Sequence, residues 1–200
     1  PQSNSMHGAG AQPPARKTLH PVTSHDQAIV QLNSQAYFAP CPRGLEAVLA
    51  AEVARAGAAQ AAPVAGGVHF NGSLEVGYRV NLWSRVASRV LRRIARGPYR
   101  SEDDIYKLAN SIPWRDHFGV ERSIRVDVTG VKSPLKSLDF VTLRVKDAVC
   151  DRFRDEVGKR PDVNTHQPDI RISAFLTDVD ATIYLDTSGE PLFKRGFRAE

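Results

Sequence analysis

Val131-Lys132-Ser133-Pro134-Leu135-Lys136-Ser137 is the stretch whose reading decides the fold. Ser133-Pro134 stops the strand before it. Ser137 stands ready as the N-cap of a helix after it, its hydroxyl able to accept an orphan backbone N–H. From there to about Arg160, Leu138, Val141, Val145, Val149 and Phe153 recur at helical spacing and give an inward face. Asp139 in the first turn suits the positive end of the helix dipole. Before the break, Ser123–Gly130 alternates as a strand, with Ile124, Val126 and Val128 on one side and Arg125, Asp127 and Thr129 on the other. Strand, break and long helix make this half of the chain α/β. The helix is also basic, because Lys136, Arg144, Lys146, Arg152, Arg154 and Lys159 lie between Lys132 and Arg160. Such a run serves either as a solvated face or as a phosphate-binding surface.

Working outward, Ile170–Leu176 and Ala181–Asp186 read as strands joined by the turn Thr177-Asp178-Val179-Asp180, and Ser188-Gly189-Glu190 turns the chain once more. Upstream, Ser101-Glu102-Asp103-Asp104 has a capping-box pattern, and Ile105, Leu108 and Ala109 form the stripe of a short helix that Pro113-Trp114 ends. The first half opens with a short strand, Gln35–Ala39, and a helix over Arg43–Ala56 with Gly57 as its C′ residue. An Ala-rich turn leads to the strand Gly66–Gly72, where Gly66-Gly67 reads as a hairpin turn between strands. Ser73 caps a helix to about Trp83, and Val86–Ile94 reads as a strand closed by Gly97-Pro98. The order is β-α-β-β-α-β, the ferredoxin-like unit, with two helices on one face of an antiparallel sheet. The expected organisation is α+β. Residues 1–34, rich in Pro, Ser, Gln and Gly, form a disordered tail or linker, too poor in apolar groups to offset the entropy of ordering. A ferredoxin-like subdomain covers residues 35–97, and a second α/β domain covers 98–198.

The chain has 200 residues, 42% hydrophobic and 24% charged, which describes a soluble globular protein. No apolar run approaches the ~18 residues that span a membrane. Cys41 and Cys150 are far apart and outside any CxxC pair, as expected of reduced thiols in the cytoplasm. The six histidines are scattered and offer no zinc pattern. The net charge of +5 is unevenly spread: residues 85–160 carry +7, residues 1–84 only +1 and residues 161–200 carry −3. Nucleic acid is the commonest partner of so localised a positive field. A membrane surface is disfavoured, since no amphipathic helix pairs Lys/Arg with large exposed aromatics.

Four segments, in order, carry a resemblance. They are Cys41-Pro42-Arg43-Gly44-Leu45-Glu46, the run from Tyr78 to Leu91 (YRVNLWSRVASRVL), the run from Leu143 to Arg154 (LRVKDAVCDRFR), and Gly189–Arg198 (GEPLFKRGFR). Over residues 36–198 the chain resembles the N-terminal half of bacterial THUMP-containing methyltransferases that modify guanine N2 in large-subunit rRNA. The resemblance implies that the second domain is a THUMP domain and that the two domains together dock structured rRNA, such as a large-subunit hairpin. It further implies a C-terminal methyltransferase domain using S-adenosylmethionine. These 200 residues hold no D/E-x-G-x-G-x-G loop and no NPPY-type tetrapeptide, so we read them as part of a longer protein, with no cofactor and no catalysis of their own.

The candidate RNA-binding residues are Lys132, Lys136, Arg144 and Lys146 around the loop and helix; Arg92, Arg93, Arg96 and Arg100 on the earlier strand and its exit; and Lys194, Arg195 and Arg198 near the C-terminus. Lys194 and Arg195 could instead hold the catalytic domain, and Arg89 and Arg152 could lay their stems on the core. Two alternatives stand beside this reading. One is the THUMP module of a thiouridine or pseudouridine enzyme acting on tRNA. The other is a stand-alone ferredoxin-like domain of non-RNA function, for which Asp178, Asp180 and Asp186 are the nearest polar constellation, half a cation site at most.

Overall fold

The structure, a computed structural model, describes residues 34–195. The expected tail therefore lies, up to residue 33, outside the described residues, as does Arg198. Seven strands form one sheet in the order β2-β3-β1-β4-β7-β6-β5. The first half is antiparallel throughout: β1 (Gln35–Pro40), β2 (Ala59–Val64), β3 (Gly67–Gly72) and β4 (Leu91–Pro98). In the second half β5 (Ile124–Gly130) runs parallel to β6 (Ile170–Leu176), which pairs antiparallel with β7 (Asp180–Asp186). Four helices complete the fold: α1 (Glu46–Arg55), α2 (Leu74–Trp83), α3 (Glu102–Asn110) and α4 (Leu138–Val157).

Cross-strand register fixes where the helices lie. Tyr37 stands opposite Arg92, and Arg92 opposite Leu185, so the three share one face of the sheet. Tyr37 belongs to the core that Leu49 and Val53 of α1 and Val76 and Val80 of α2 complete. Leu185 belongs to the core that Ile105 and Ala109 of α3 and Val141, Val145 and Val149 of α4 complete. All four helices therefore lie on one face. The other face carries no helix among the described residues.

Local chemistry accounts for the element ends. Ser73, Ser101 and Ser137 each accept a backbone N–H at a helix start, and Ser101 with Asp104 makes both bonds of the capping box. Helix α4 ends at Val157, three residues short of the expected Arg160, because Gly158 follows at a φ of +71° that suits glycine.

Three expectations need correction. The first helix starts at Glu46, not Arg43, because Gly44 takes a φ of +90° and the turn closes from Leu45 N–H to the Pro42 carbonyl. The Ala-rich stretch is not a turn but β2, the outer arm of the hairpin with β3. The strand expected over Val86–Ile94 begins only at Leu91. The segment before it makes isolated backbone bonds to the end of β1 and to loops instead: Ser88 N–H donates to the Pro40 carbonyl, Leu192 N–H to the Ser88 carbonyl and Thr187 N–H to the Val90 carbonyl. A further difference concerns the two halves. They share a sheet, and β4 joins them, matching β1 at two residue pairs and β7 at seven. Its Ile94 and Ala95 pack into the second core.

Candidate nucleic-acid interface

Three segments distant in sequence meet at one end of the second half of the sheet. They are the exit of β4, the β5–α4 loop and the β6–β7 turn. Tyr99 ties them, its hydroxyl bonding both the Ser133 hydroxyl at 2.8 Å and the Thr177 carbonyl. Val131 N–H donates to the Leu176 carbonyl, and Tyr99 N–H to the Val179 carbonyl. The loop is thereby held at both ends, with Leu135 packed on the core. Lys132, at a φ of +58°, and Lys136 are exposed on it. Arg96 and Arg100 leave β4 beside it; Arg96 pairs with Asp180 across the strands at 2.6 Å. Lys132, Lys136 and Arg100 have no ion-pair partner among the described residues. The cap at Ser137 adds a helix N-terminus, where backbone N–H groups and the dipole favour anions. Phe140, half exposed in the first turn of α4, sets an aromatic ring at the same corner.

The other sequence-derived candidates lie elsewhere. Arg144 pairs with Asp103 and covers the Tyr106 ring at 4.4 Å, fastening α3 to α4. Lys146 pairs with Asp147 at 2.8 Å. Arg92 points to the helix side, where a guanidinium nitrogen lies 3.0 Å from His117 Nδ1. Burial first, and then the Arg92 charge, holds the His117 pKa below its ordinary value. Arg93 points the opposite way, to the helix-free face. Lys194 pairs with Glu190 at 3.4 Å, and Arg195 donates to the Leu82 carbonyl at 2.9 Å. Arg89 forms a pair with the almost fully buried Asp186, whose pKa burial raises. The three aspartates of the alternative reading are thus dispersed: Asp180 and Asp186 terminate opposite ends of β7 and are each paired with an arginine. No group of three or more metal-ligating side chains occurs among the described residues. No helix among them is long and apolar enough to cross a membrane.

Sequence reasoning did not find Tyr99 or the aromatic groups of the helix-free face, Phe38, His69 and Tyr184. Their significance comes from pairings between distant segments.

Residues 36–91 match the RlmL ferredoxin-like domain and residues 99–186 the THUMP domain. The ribosomal RNA large subunit methyltransferase K/L of Syntrophotalea carbinolica is 41% identical over 164 residues, which are 82% of this chain and 23% of that protein. The chain thus spans about a quarter of the length of the curated relatives it matches. Among solved structures, a predicted N6-adenine-specific DNA methylase from Listeria monocytogenes aligns with a TM-score of 0.73 at 29% identity, over 84% of this chain and 44% of that one. A putative methyltransferase complexed with SAH has the same fold, with a TM-score of 0.73 at 24% identity, over 84% of this chain and 45% of that one. The chain thus carries an RlmL-type ferredoxin-like domain that leads into a THUMP domain, and over these residues it is similar to the large-subunit rRNA methyltransferases K/L.

Proposed function

We propose that these residues are the RNA-docking module of a cytoplasmic, S-adenosylmethionine-dependent rRNA methyltransferase. In this reading they grip structured large-subunit rRNA, and the methyl transfer belongs to a catalytic domain elsewhere in the protein. The ferredoxin-like subdomain spans 35–97 and the THUMP domain 98–198. The observation that carries the proposal is the corner fastened by Tyr99, where Lys132, Lys136 and Arg100 project without acidic partners beside the N-terminus of α4. Flexible ammonium groups beside free backbone N–H groups suit a phosphate. Arg93 and Arg96 extend the same positive field; Arg92, Arg144, Lys146, Lys194 and Arg195 are further contacts for RNA away from this corner, and Arg198, outside the described residues, is a candidate on its sequence alone.

The described residues do not fit S-adenosylmethionine itself. Among them the β5–α4 loop, Val131–Ser137, follows a parallel strand into a helix, yet it holds no glycine, one proline and two lysines. A nucleoside cofactor's cradle at such a turn uses several glycines so that the backbone can approach the ligand.

Fluorescence anisotropy with a labelled rRNA hairpin tests the proposal. With about four to six phosphates neutralised, affinity is expected to fall by roughly two to three decades between 50 and 200 mM salt. Changing Lys132 and Lys136 together to alanine should weaken binding at every salt concentration and flatten the salt slope by about 2, while the thermal melt stays unchanged. Salt-independent binding, or a double variant that binds as the parent does, removes the corner from the account.

A further inference from the structure

The helix-free face of the sheet is chemically unlike a bare solvent face. Phe38 and His69 lie side by side on β1 and β3, their ring centroids 4.8 Å apart, and Tyr184 of β7 lies 6.4 Å from Phe38. Of the three rings Tyr184 is buried, Phe38 is half-buried and His69 is exposed, so two of them present surface to the outside. Beside them is a shallow hollow of about 320 Å³, walled by Gln60, His69, Asn71, Arg93 and Arg96. That volume is at the low end for small-molecule sites, where ~300 to 1,000 Å³ is usual, and suits one nucleotide rather than a long ligand.

The polar groups of the hollow are arranged as well as present. β2 bulges between Ala59 and Ala62, and Gln60 in the bulge holds a φ of +56°. Bulges re-aim side chains, and here Gln60 Oε1 accepts from Asn71 Nδ2 at 3.0 Å. That bond leaves the Gln60 amide donors and the Asn71 carbonyl oxygen without a partner among the described residues. A donor beside an acceptor is what the edge of a nucleobase reads. The charge on the face is complementary to RNA: Arg93, Arg96, Arg125 and Arg171 stand there against Asp127 and Asp180, by the cross-strand register.

We propose that this face binds unpaired RNA nucleotides, with bases stacked on Phe38 and His69, one base edge read by Gln60 and Asn71, and phosphates met by Arg93 and Arg96. The proposal rests on the RNA-docking reading above and specifies its ligand. Duplex RNA presents its backbone to a sheet face and keeps its base planes stacked internally, whereas a loop or single strand offers them. Partial desolvation against the hollow, followed by the Arg93 charge, holds the His69 pKa below its ordinary value, in keeping with a neutral ring that can stack.

The test uses the 200-residue chain, a fluorescein-labelled hairpin with a long unpaired loop, and a blunt duplex of the same stem. The double variant Phe38→Leu with His69→Ala removes both ring planes without changing the charge at neutral pH. Stacking losses of this kind predict about tenfold weaker binding of the hairpin, or more, with duplex binding unchanged. The single variant His69→Ala, at an exposed position, should lose a smaller factor and guards against a folding defect, which a thermal melt would expose. Equal binding of hairpin and duplex by the parent overturns the proposal. So does a double variant that melts as the parent and binds the hairpin equally well, leaving a protein domain or a second copy of the chain as the face's occupant. If the parent binds neither RNA, the docking reading fails with it.

Discussion

Two histidines show how partial desolvation and a neighbouring arginine at single residues become a pH response. In the unfolded chain His69 and His117 take up protons near their ordinary pKa of 6.5; in the fold both are held lower, chiefly by burial and then by Arg93 and Arg92 respectively. Between the folded value and 6.5 the unfolded state binds more protons, so stability is complete above 6.5 and declines as pH falls through that window. Glu46, Asp104 and Asp169 are also held low, by backbone N–H donors, but their contribution disappears only below the ordinary carboxylate range. Asp186 acts with the opposite sign, since burial raises its pKa and its protonation as pH falls favours the fold. Thermal melts from about pH 7.5 to about pH 5.5 should therefore show a falling Tm that is due to the histidines. His117→Gln should flatten part of the fall; an unchanged slope would rule His117 out as a source.

Among the elements, α2 shows packing overriding propensity. Replacing Gly77 by alanine should gain about 1 kcal/mol of helix propensity. The added Cβ, however, would lie 2.9 Å from the Tyr37 ring and hydroxyl. Tyr37 stacks on Phe70 at 4.9 Å within the first core and has little room to give, so overpacking of about 1 to 3 kcal/mol should win. Gly77→Ala is expected to melt below the parent; a higher Tm would mean that the ring yields. The same contrast between local and distant forces explains what the sequence made legible. The caps Ser73, Ser101 and Ser137, the stripe of α4 and the Lys132–Lys136 loop depend on neighbours within a few residues, and they were readable. β2 was not. Ala59–Val64 has weak strand propensity, is mostly exposed, and exists because β3 supplies its hydrogen bonds, with Pro63 tolerated on an edge strand. Val86–Val90 misled in the other direction: Ala87 and Val90 are buried in the first core with Val86 packed against it, but the backbone makes isolated bonds rather than a ladder. The corner at Tyr99 and the helix-free face depend on contacts across dozens of residues, which no local pattern encodes.

For the whole molecule, the shared strand β4 predicts how the chain unfolds. Both cores rest on one hydrogen-bonded sheet, and β4 contributes Ile94 and Ala95 to the second core while pairing with the first. A single cooperative transition is expected, with fluorescence of Trp114, fully buried in the second core, tracking the far-UV signal of the whole. Two separated transitions would show that the halves melt independently. Continuity of the sheet also has a consequence for shape. Neighbouring strands in a sheet are rotated by about 20 to 25°, so six steps from β2 to β5 accumulate about 120 to 150°. The helix-free side is then a spiral ramp rather than a floor. Its first and last strands face directions more than a right angle apart, and with no hinge along the way a polymer following it from end to end would have to wind as it went.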